Sequence, residues 1–257
     1  MPDLKPLFCM ISSDFKFQIF NFSEIDSTNS YALDLVKTNI VKEGTVFYSK
    51  YQLKGKGQQG NVWDSEQGKN LLFSLLLKPR VKVENQFLIS QCIALGLKYY
   101  LDSLAVGQVE VKWPNDILVN RQKIAGILIE NSIEGSLITN SVVGIGFNTN
   151  QIEFEPYSRK ATSLKLLKGE EFNLNLELSQ ILIYLKKVFE DYQMYGANYI
   201  KTHYLESLYG FHKPIPLEDE KGQFKGKIAD VLNSGILRVW RNGKLSSYDL
   251  KQLKFIS

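Results

Sequence analysis

The pattern of apolar and polar positions predicts a long region of mixed strands and helices. Apolar or alternating runs predict strands at about 44–50, 70–77, 109–113, 117–119, 123–130 and 136–146. Apolar residues at helical spacing predict helices over 84–104, 173–195 and 197–208. A shorter helix is expected to begin at Asp26–Asn29 (Asp-Ser-Thr-Asn) and to end near Thr38, because these polar residues favour helix starts. The sequence therefore predicts an α+β fold.

The last part of the chain differs in character. Residues 210–257 contain short β-rich segments separated by glycines at 222, 226, 235 and 243. A segment of this length and pattern favours a small β-barrel. We therefore expect two domains, one over residues 1–209 and the other over residues 210–257.

Composition and charge limit the function classes. With 44% apolar and 23% charged residues, the 257-residue chain has the composition of an ordinary soluble protein. No apolar run approaches the roughly 20 residues of a membrane span, and the N-terminus does not resemble a secretion signal. Cys9 and Cys92 are expected to be free thiols in a reducing compartment. These features predict a cytoplasmic protein without a membrane partner.

Residues 52–63 form a glycine-rich segment that contains Gly55, Gly57 and Gly60 and ends at Trp63; it reads Gln-Leu-Lys-Gly-Lys-Gly-Gln-Gln-Gly-Asn-Val-Trp. Residues 50–80 hold six basic and two acidic side chains, an excess that equals the net charge of +4 of the whole chain. Such a loop suits a phosphate or carboxylate. The Gly-x-Gly-x-x-Gly spacing fails as a dinucleotide fingerprint, because a turn and a strand follow instead of a helix. From these residues alone, an anion-binding loop and a mobile surface loop are equally supported.

Three further segments combine strands with polar side chains. Lys112–Asp116 (Lys-Trp-Pro-Asn-Asp) ends a strand in a turn, and Gly144–Asn148 (Gly-Ile-Gly-Phe-Asn) runs from a strand into an amide. In the strand that begins at Lys123, alternation places Lys123 on the face opposite to Gly126. Taken alone, Lys123 fits a solvated strand end better than a functional site. Gly126 indicates that another group lies close to the backbone.

The order of these segments along the chain resembles the biotin–protein ligases (holocarboxylase synthetases), over roughly residues 20–195 and more loosely over 210–257. The resemblance implies a mixed β-sheet with helices on one side, like class II synthetases, and a C-terminal barrel similar to Src-homology-3 domains. It also implies an ATP-dependent enzyme that activates biotin as biotinyl-5′-AMP. The biotin would then pass to a lysine of a biotin carboxyl carrier protein, as in acetyl-CoA carboxylase. Mg²⁺ is expected with ATP, and its ligands are unknown.

The resemblance also assigns residues to roles. The biotin-binding positions would be Ser27, Thr28, Asn29, Gln52, Gly55, Lys56, Gly57, Gln58, Lys123 and Gly126. The positions that bind ATP or the adenylate would be Gly57, Gln58, Asn61, Trp63, Asn115, Lys123 and Asn148. Lys56 and Lys123 would offset the negative charge of the reacting groups. Asp116 would orient or deprotonate the incoming lysine.

The chain departs from the family pattern in the glycine-rich loop, where relatives commonly carry arginines. Lys56, Gln58 and Asn61 stand at those places. Lysine keeps the positive charge of arginine but cannot form its bidentate hydrogen bonds. Gln58 and Asn61 carry no charge. We therefore expect biotinyl-5′-AMP to leave this protein faster than it leaves an arginine-rich relative.

About 25 residues precede Asp26, too few for the DNA-binding domain that some relatives carry. The sequence therefore predicts a form that does not bind DNA, and a homodimer is possible. Two alternatives stay open: a lipoate–protein ligase, and a non-catalytic binding or regulatory protein on the same scaffold.

Overall fold

The computed structural model describes residues 16–38, 40–155 and 161–256, and it has the expected α+β architecture. The strands of the large sheet are β1 Gln18–Phe22, β2 Thr45–Ser49, β3 Leu71–Leu77, β4 Val81–Lys82, β5 Val109–Lys112, β6 Asp116–Val119, β7 Gln122–Glu134 and β8 Leu137–Phe147. The helices are α1 Thr28–Val36, α2 Phe87–Ser103, α3 Leu164–Lys168 and α4 Leu174–Glu206. The short elements β1, β4 and α3 were not predicted from the sequence.

The large sheet is mixed. Its strand order is β1-β2-β3-β8-β7-β6-β5, with β4 paired to β8. The edge strand β1 runs parallel to β2, and the other neighbouring strands are antiparallel. The β6–β7 and β7–β8 hairpins pair neighbouring segments, and the pairing of β3 with β8 brings distant parts of the sequence side by side at the centre of the sheet.

The two faces of the sheet carry different helices. On β3, Leu75 and Leu77 belong to the large core that also contains residues of α2 and α4. Leu76, between them, packs with Ala32 of α1 in a smaller cluster. Because neighbouring strand residues point to opposite faces, α1 lies on the face opposite to α2 and α4. The expectation of helices on one side therefore holds for the two long helices, and α1 is the exception.

Helices α2 and α4 pack closely at Gly96. A Cβ atom at this position would lie 3.0 Å from the Cα of Leu185, which explains a glycine inside a helix where it costs stability. Nearby, the buried Tyr100 hydroxyl donates a hydrogen bond to Glu177. Burial raises the pKa of Tyr100, so its hydroxyl stays protonated as a donor. The helical geometry of α4 is interrupted at Gly196, where φ is 81°.

The C-terminal strands form a second, antiparallel sheet, as expected for a small barrel. They are β9 Pro214–Asp219, β10 Gly222–Val231, β11 Leu237–Arg241, β12 Lys244–Tyr248 and β13 Lys254–Phe255, in the order β12-β11-β10-β9-β13. The change from the first sheet to the second occurs near the predicted boundary. Tyr209 N–H donates to Val111 in the first sheet, and Gly210 O accepts from Ile228 in the second. The boundary at residues 209 and 210 itself stays a prediction.

The loop between β10 and β11 is one of the places where the barrel contacts the large domain. The indole Nε1 of the buried Trp113 donates to Gly235 O at 2.9 Å, and Phe87 N donates to Asn233 O at 3.1 Å. These bonds link the barrel to the start of α2 and to the turn after β5. Across the described ranges, no helix is long and apolar enough to cross a membrane.

Candidate functional site

A cavity of about 50 Å³ lies on the α1 face of the large sheet. Eleven of the predicted site residues line it: Ser27, Thr28, Asn29, Gln52, Lys56, Gly57, Gln58, Trp63, Asn115, Lys123 and Gly126. They come from the start of α1, the glycine-rich loop, the turn after β5, and β7. The fold thus brings together residues that are separated by up to about a hundred positions in the sequence.

Three glycines of β7 and β8 form the floor of this cavity. Gly126 pairs with Gly146 across the two strands. A Cβ atom at Gly146 would lie 2.2 Å from the Trp63 ring, and one at Gly126 would lie 2.7 Å from it. A Cβ atom at Gly144 would lie 2.3 Å from Asn29 Oδ1. The expected close approach at Gly126 is therefore made by Trp63, and Gly144 and Gly146 contribute in the same way.

Gly144 and Gly146 were absent from the predicted site residues, although they line the cavity. The Gly-Ile-Gly segment of β8 could have indicated them, because two glycines on the same face of a strand suggest that another group lies close to the backbone. Only the pairing of β8 with β7 shows that both lie on the side of Gly126.

The glycine-rich loop folds back on itself as a small hairpin. Gly57 N donates to Asn61 O at 2.7 Å, and Trp63 N donates to Gly55 O at 3.0 Å, around a 3-10 turn at Gln58–Gly60. A Cβ atom at Gly55 would lie 2.4 Å from Trp63 O, and Gly60 has a φ of 82°. The glycines therefore shape the loop itself, and the Gly57 N–H is engaged within it.

Lys123 lies inside the site. Its Nζ atom is 2.7 Å from Asp116 Oδ1 and 5.2 Å from the centre of the Trp63 ring. The pairing of β6 with β7 is irregular between Ile117 and Leu118, and both Ile124 and Ala125 face the core. This break in the alternation puts Lys123 on the same side as Gly126. The expected face of Lys123 and its interpretation as a solvated strand end are both wrong.

The start of α1 supplies a cluster of polar groups. Ser27 caps the helix, and its hydroxyl accepts from Ser30 N at 3.4 Å. Thr28 N donates to Gln52 Oε1 at 2.7 Å, which joins the helix to the strand-like segment before the loop. Simple capping thus explains Ser27 only in part, because the same turn also orients Thr28 and Gln52 at the cavity.

Four of the predicted residues do not line this cavity: Gly55, Asn61, Asp116 and Asn148. Asp116 is connected to the cavity by its ion pair with Lys123, and Asn61 is exposed on the glycine-rich loop. Asn148 is buried and its Nδ2 donates to Thr162 O at 3.0 Å. Asn115 lines the cavity, with its Nδ2 donating to Ile127 O at 2.9 Å. A nucleotide contact by Asn148 stays a prediction.

Two further features concern what the site could hold. Trp63 Nε1 is buried and has no hydrogen-bond partner among the described residues. A second cavity, of about 350 Å³, lies between the large domain and the barrel and shares Gln58, Asn115 and Ile127 with the first. In the part of the chain that the structure describes, no three His, Cys, Asp or Glu side chains are grouped as metal ligands.

Comparisons with known proteins agree with this arrangement. The model of the biotin/lipoate A/B protein ligase family matches residues 22–148. The bifunctional ligase/repressor BirA of Bacillus subtilis is 30% identical over 221 residues, which cover 85% of this chain and 68% of that protein. The corresponding protein of Bacillus spizizenii is 31% identical over 216 residues, covering 83% of this chain and 66% of that protein. The chain thus spans about two thirds of the length of these relatives.

A solved structure shows the same fold. The biotin protein ligase from Aquifex aeolicus in complex with biotin and ATP superimposes with a TM-score of 0.76. It covers 94% of this chain and 100% of its own, at 24% sequence identity. At this identity the likeness supports the architecture of both sheets.

Proposed function

Because this chain belongs to the biotin/lipoate A/B protein ligase family, we propose that it is a biotin–protein ligase. It uses ATP to activate biotin as biotinyl-5′-AMP and transfers the biotin to a lysine of a biotin carboxyl carrier protein, such as that of acetyl-CoA carboxylase. The observation that carries this proposal is the position of Lys123. Its ammonium group lies over the Trp63 ring and beside Gly126, in the cavity that the polar start of α1 also lines.

The first step joins two anions, the biotin carboxylate and the α-phosphate of ATP. A fixed cation at their meeting point lowers the repulsion and stabilises the charge that develops in the transition state. Lys123 is such a cation, because Asp116 holds its Nζ at 2.7 Å. Lys56 lines the same cavity and is exposed, so it supplies a second, more mobile positive charge.

The two ends of the cavity suit the two ends of the intermediate. Thr28, Asn29 and Gln52 offer hydrogen-bond donors and acceptors, which a cyclic urea with two N–H groups and one carbonyl requires. Trp63 offers an aromatic face for adenine. Its buried Nε1 lacks a partner among the described residues, and an unpaired buried donor costs roughly 1–3 kcal/mol. An acceptor atom on the ligand would satisfy it.

Ligand entry requires the glycine-rich loop to move. The cavity measures about 50 Å³, whereas sites for ligands of this size enclose roughly 300–1,000 Å³. The loop is the element that would open, because its residues Lys56, Gly57, Gln58 and Trp63 line the cavity on the side away from the sheet strands. Its closure over the adenylate would exclude water from the mixed anhydride.

The second step needs access for a protein lysine. The larger cavity of about 350 Å³ beside Asn115 and Gln58 reaches the site from the barrel side. The carrier lysine would enter there and attack the carbonyl carbon of the anhydride, releasing AMP. Asp116, already paired with Lys123, would orient that cation and accept a hydrogen bond from the incoming amine.

Several parts of the proposal rest on the family resemblance. Mg²⁺ would bind through the ATP phosphates. A cytoplasmic location, a possible homodimer and the absence of DNA binding stay predictions.

One assay tests the proposed function. The chain is incubated with ATP, Mg²⁺ and either biotin or lipoate, and the AMP ester and its transfer to a carrier domain are followed. Biotin-dependent transfer supports the proposal. Transfer that depends on lipoate supports a lipoate–protein ligase, and formation of neither ester supports a binding protein.

A further inference from the structure

The cavity beside the barrel differs from the first cavity in the charge of its lining. Among the described residues, the charged side chains that line the first cavity are Lys56 and Lys123, and both are positive. In the same part of the chain, the larger cavity of about 350 Å³ is lined by a single charged side chain, the carboxylate of Asp249. The two cavities share Gln58 and Asn115, so a positive lining and a negative lining adjoin each other.

The turn that follows β12 holds Asp249 in place. Its N–H donates to Gln252 Oε1 at 2.8 Å, and its carbonyl oxygen accepts from Gln252 N at 2.9 Å. Its carboxylate oxygen Oδ1 accepts from Leu250 N at 2.7 Å. The side chain is exposed, and none of the ion pairs found in the described ranges includes it. The negative charge of Asp249 is therefore available to a ligand.

The barrel is itself fixed against the large domain at this cavity. Trp113 Nε1 donates to Gly235 O at 2.9 Å, and Phe87 N donates to Asn233 O at 3.1 Å. Phe87 and Gly235 line the same cavity as Asp249. The carboxylate of the barrel therefore has a defined position relative to the large domain.

The substrates of the proposed reaction carry opposite charges. ATP and pyrophosphate are polyanions, which the two lysines of the first cavity attract and a carboxylate repels. The carrier lysine arrives as an ammonium ion, because the ordinary pKa of lysine is about 10.4. A carboxylate at the mouth of its route attracts it and steers the encounter. Ile129, Ile236 and Leu250 of the same cavity offer apolar surface to the methylene groups of a lysine side chain.

We propose that Asp249 is a specificity-determining residue of the barrel, which receives the ammonium group of the carrier lysine at the mouth of the larger cavity. This inference rests on the proposed function, in which a carrier lysine is the acceptor of biotin. An ammonium ion cannot attack the anhydride, so Asp249 acts before the chemical step. Its removal should therefore change the KM for the carrier and not kcat.

Two substitutions at position 249 separate charge from structure. Asp249→Asn removes the charge and keeps an oxygen that can accept from Leu250 N. Asp249→Lys reverses the charge. Glu220→Gln and Glu220→Lys are the matched controls, because Glu220 is an exposed carboxylate of the same barrel and lines neither cavity. Each control changes the net charge of the protein by the same amount. Formation of biotinyl-5′-AMP, which does not involve the carrier, reports whether each variant is folded.

The measurement is the transfer of biotin from preformed, enzyme-bound biotinyl-5′-AMP to two acceptors. One is a purified biotin carboxyl carrier domain, and the other is hydroxylamine, which is uncharged at neutral pH. At low ionic strength, Asp249→Asn should raise the KM for the carrier domain about fivefold, and Asp249→Lys roughly twentyfold, with kcat changed less than about twofold. The rate with hydroxylamine should stay at the wild-type value. Salt at about 1 M should narrow the difference in KM, because it screens the attraction.

Both Glu220 variants should transfer biotin to the carrier domain as the wild type does. Equal KM values for the carrier domain in Asp249→Asn and Glu220→Gln overturn this inference and leave the proposed function standing. A parallel loss of the hydroxylamine reaction in Asp249→Lys also overturns it, because the residue would then act on the adenylate and not on the acceptor. A wild-type chain that forms no biotinyl-5′-AMP overturns the proposed function as well.

Discussion

Lys123 and Asp116 form an ion pair across the β6–β7 hairpin, with Nζ 2.7 Å from Oδ1. Their side chains are 33% and 20% exposed, so the pair is only partly screened by water. The carboxylate fixes a cation that lies against the Trp63 ring. We therefore propose that Asp116 acts first as the group that places Lys123.

Asp116→Asn removes the charge and keeps the shape. Lys123 then loses its fixed position, and we expect both adenylate formation and transfer to the carrier to slow, on the order of 10²-fold. Rapid-quench measurements with biotin and ATP give the first rate, and preformed biotinyl-5′-AMP gives the second. Asp34→Asn, which removes the exposed partner of Lys37, is the control. If Asp116→Asn transferred biotin to the carrier at the wild-type rate, Asp116 would have no role in the transfer step.

Gly146→Ala tests the floor of the site. The added methyl group would lie 2.2 Å from the Trp63 ring, so the ring must shift, and we expect binding of biotin and ATP to weaken by roughly tenfold or more. Calorimetry measures both affinities. Val143→Ala, on the core face of the same strand, should lower the free energy of unfolding without affecting ligand binding. Wild-type affinities of Gly146→Ala for both ligands would show that the close contact between position 146 and the Trp63 ring is not required for binding.

Gln58→Arg restores the charge that the loop lacks. A charge-assisted hydrogen bond to phosphate is worth roughly 1.5–3 kcal/mol, so biotinyl-5′-AMP should leave the variant about tenfold more slowly. The release rate is followed by trapping free adenylate in the absence of carrier. Gln67→Arg adds the same charge to an exposed position outside the cavity and should leave the rate unchanged. Equal release rates in the wild type and Gln58→Arg would refute the explanation based on the missing arginines.

Gly96→Ala tests the packing of α2 against α4. The new methyl group would lie 2.6 Å from Leu185 Cδ2, and such overpacking costs roughly 1–3 kcal/mol. The better helix propensity of alanine offsets at most about 1 kcal/mol of this. Urea denaturation should show a lower free energy of unfolding. Asp102→Ala on the exposed side of α2 should change it by less than about 0.5 kcal/mol. A stabilised Gly96→Ala would contradict the close approach of the helices.

Cys92 gives an independent probe of the core. Its thiol is buried, and burial raises its pKa, so little reactive thiolate forms in the native state. In a Cys9→Ser background, labelling by a thiol reagent should be slow at about pH 8 and should accelerate only with unfolding in denaturant. Fast labelling of the native protein would show that the large core opens around α2.

The sequence predicted the order of the main elements and most of the residues at the cavity. The long strands and helices are recognisable because each has a sustained periodicity, as in β3 and α2. The position of Lys123 could not be predicted in this way. An irregularity in strand pairing beside Ile117 reverses its face, and alternation along a single strand contains no information about its partner.

Other features depend on contacts between distant segments. Helix α1 lies on the sheet face opposite to α2 and α4, because Ala32 packs on Leu76. The short apolar pattern of α1 would have suited either face of the sheet. Ser74 and Glu130 looked like ordinary strand residues, and only the pairing of β3, β8 and β7 brings them to Asn29. The hairpin bonds of Gly55 and Gly57 likewise could not be read from the sequence.

The proposed ligase activity is tested by the intact mass of a purified biotin carboxyl carrier domain after incubation with this chain, ATP, Mg²⁺ and biotin. We expect a mass increase of one biotinyl group on a single lysine, with release of AMP and pyrophosphate, and loss of the modification in Lys123→Met. An unmodified carrier domain under these conditions, with no biotinyl-5′-AMP formed, would contradict it.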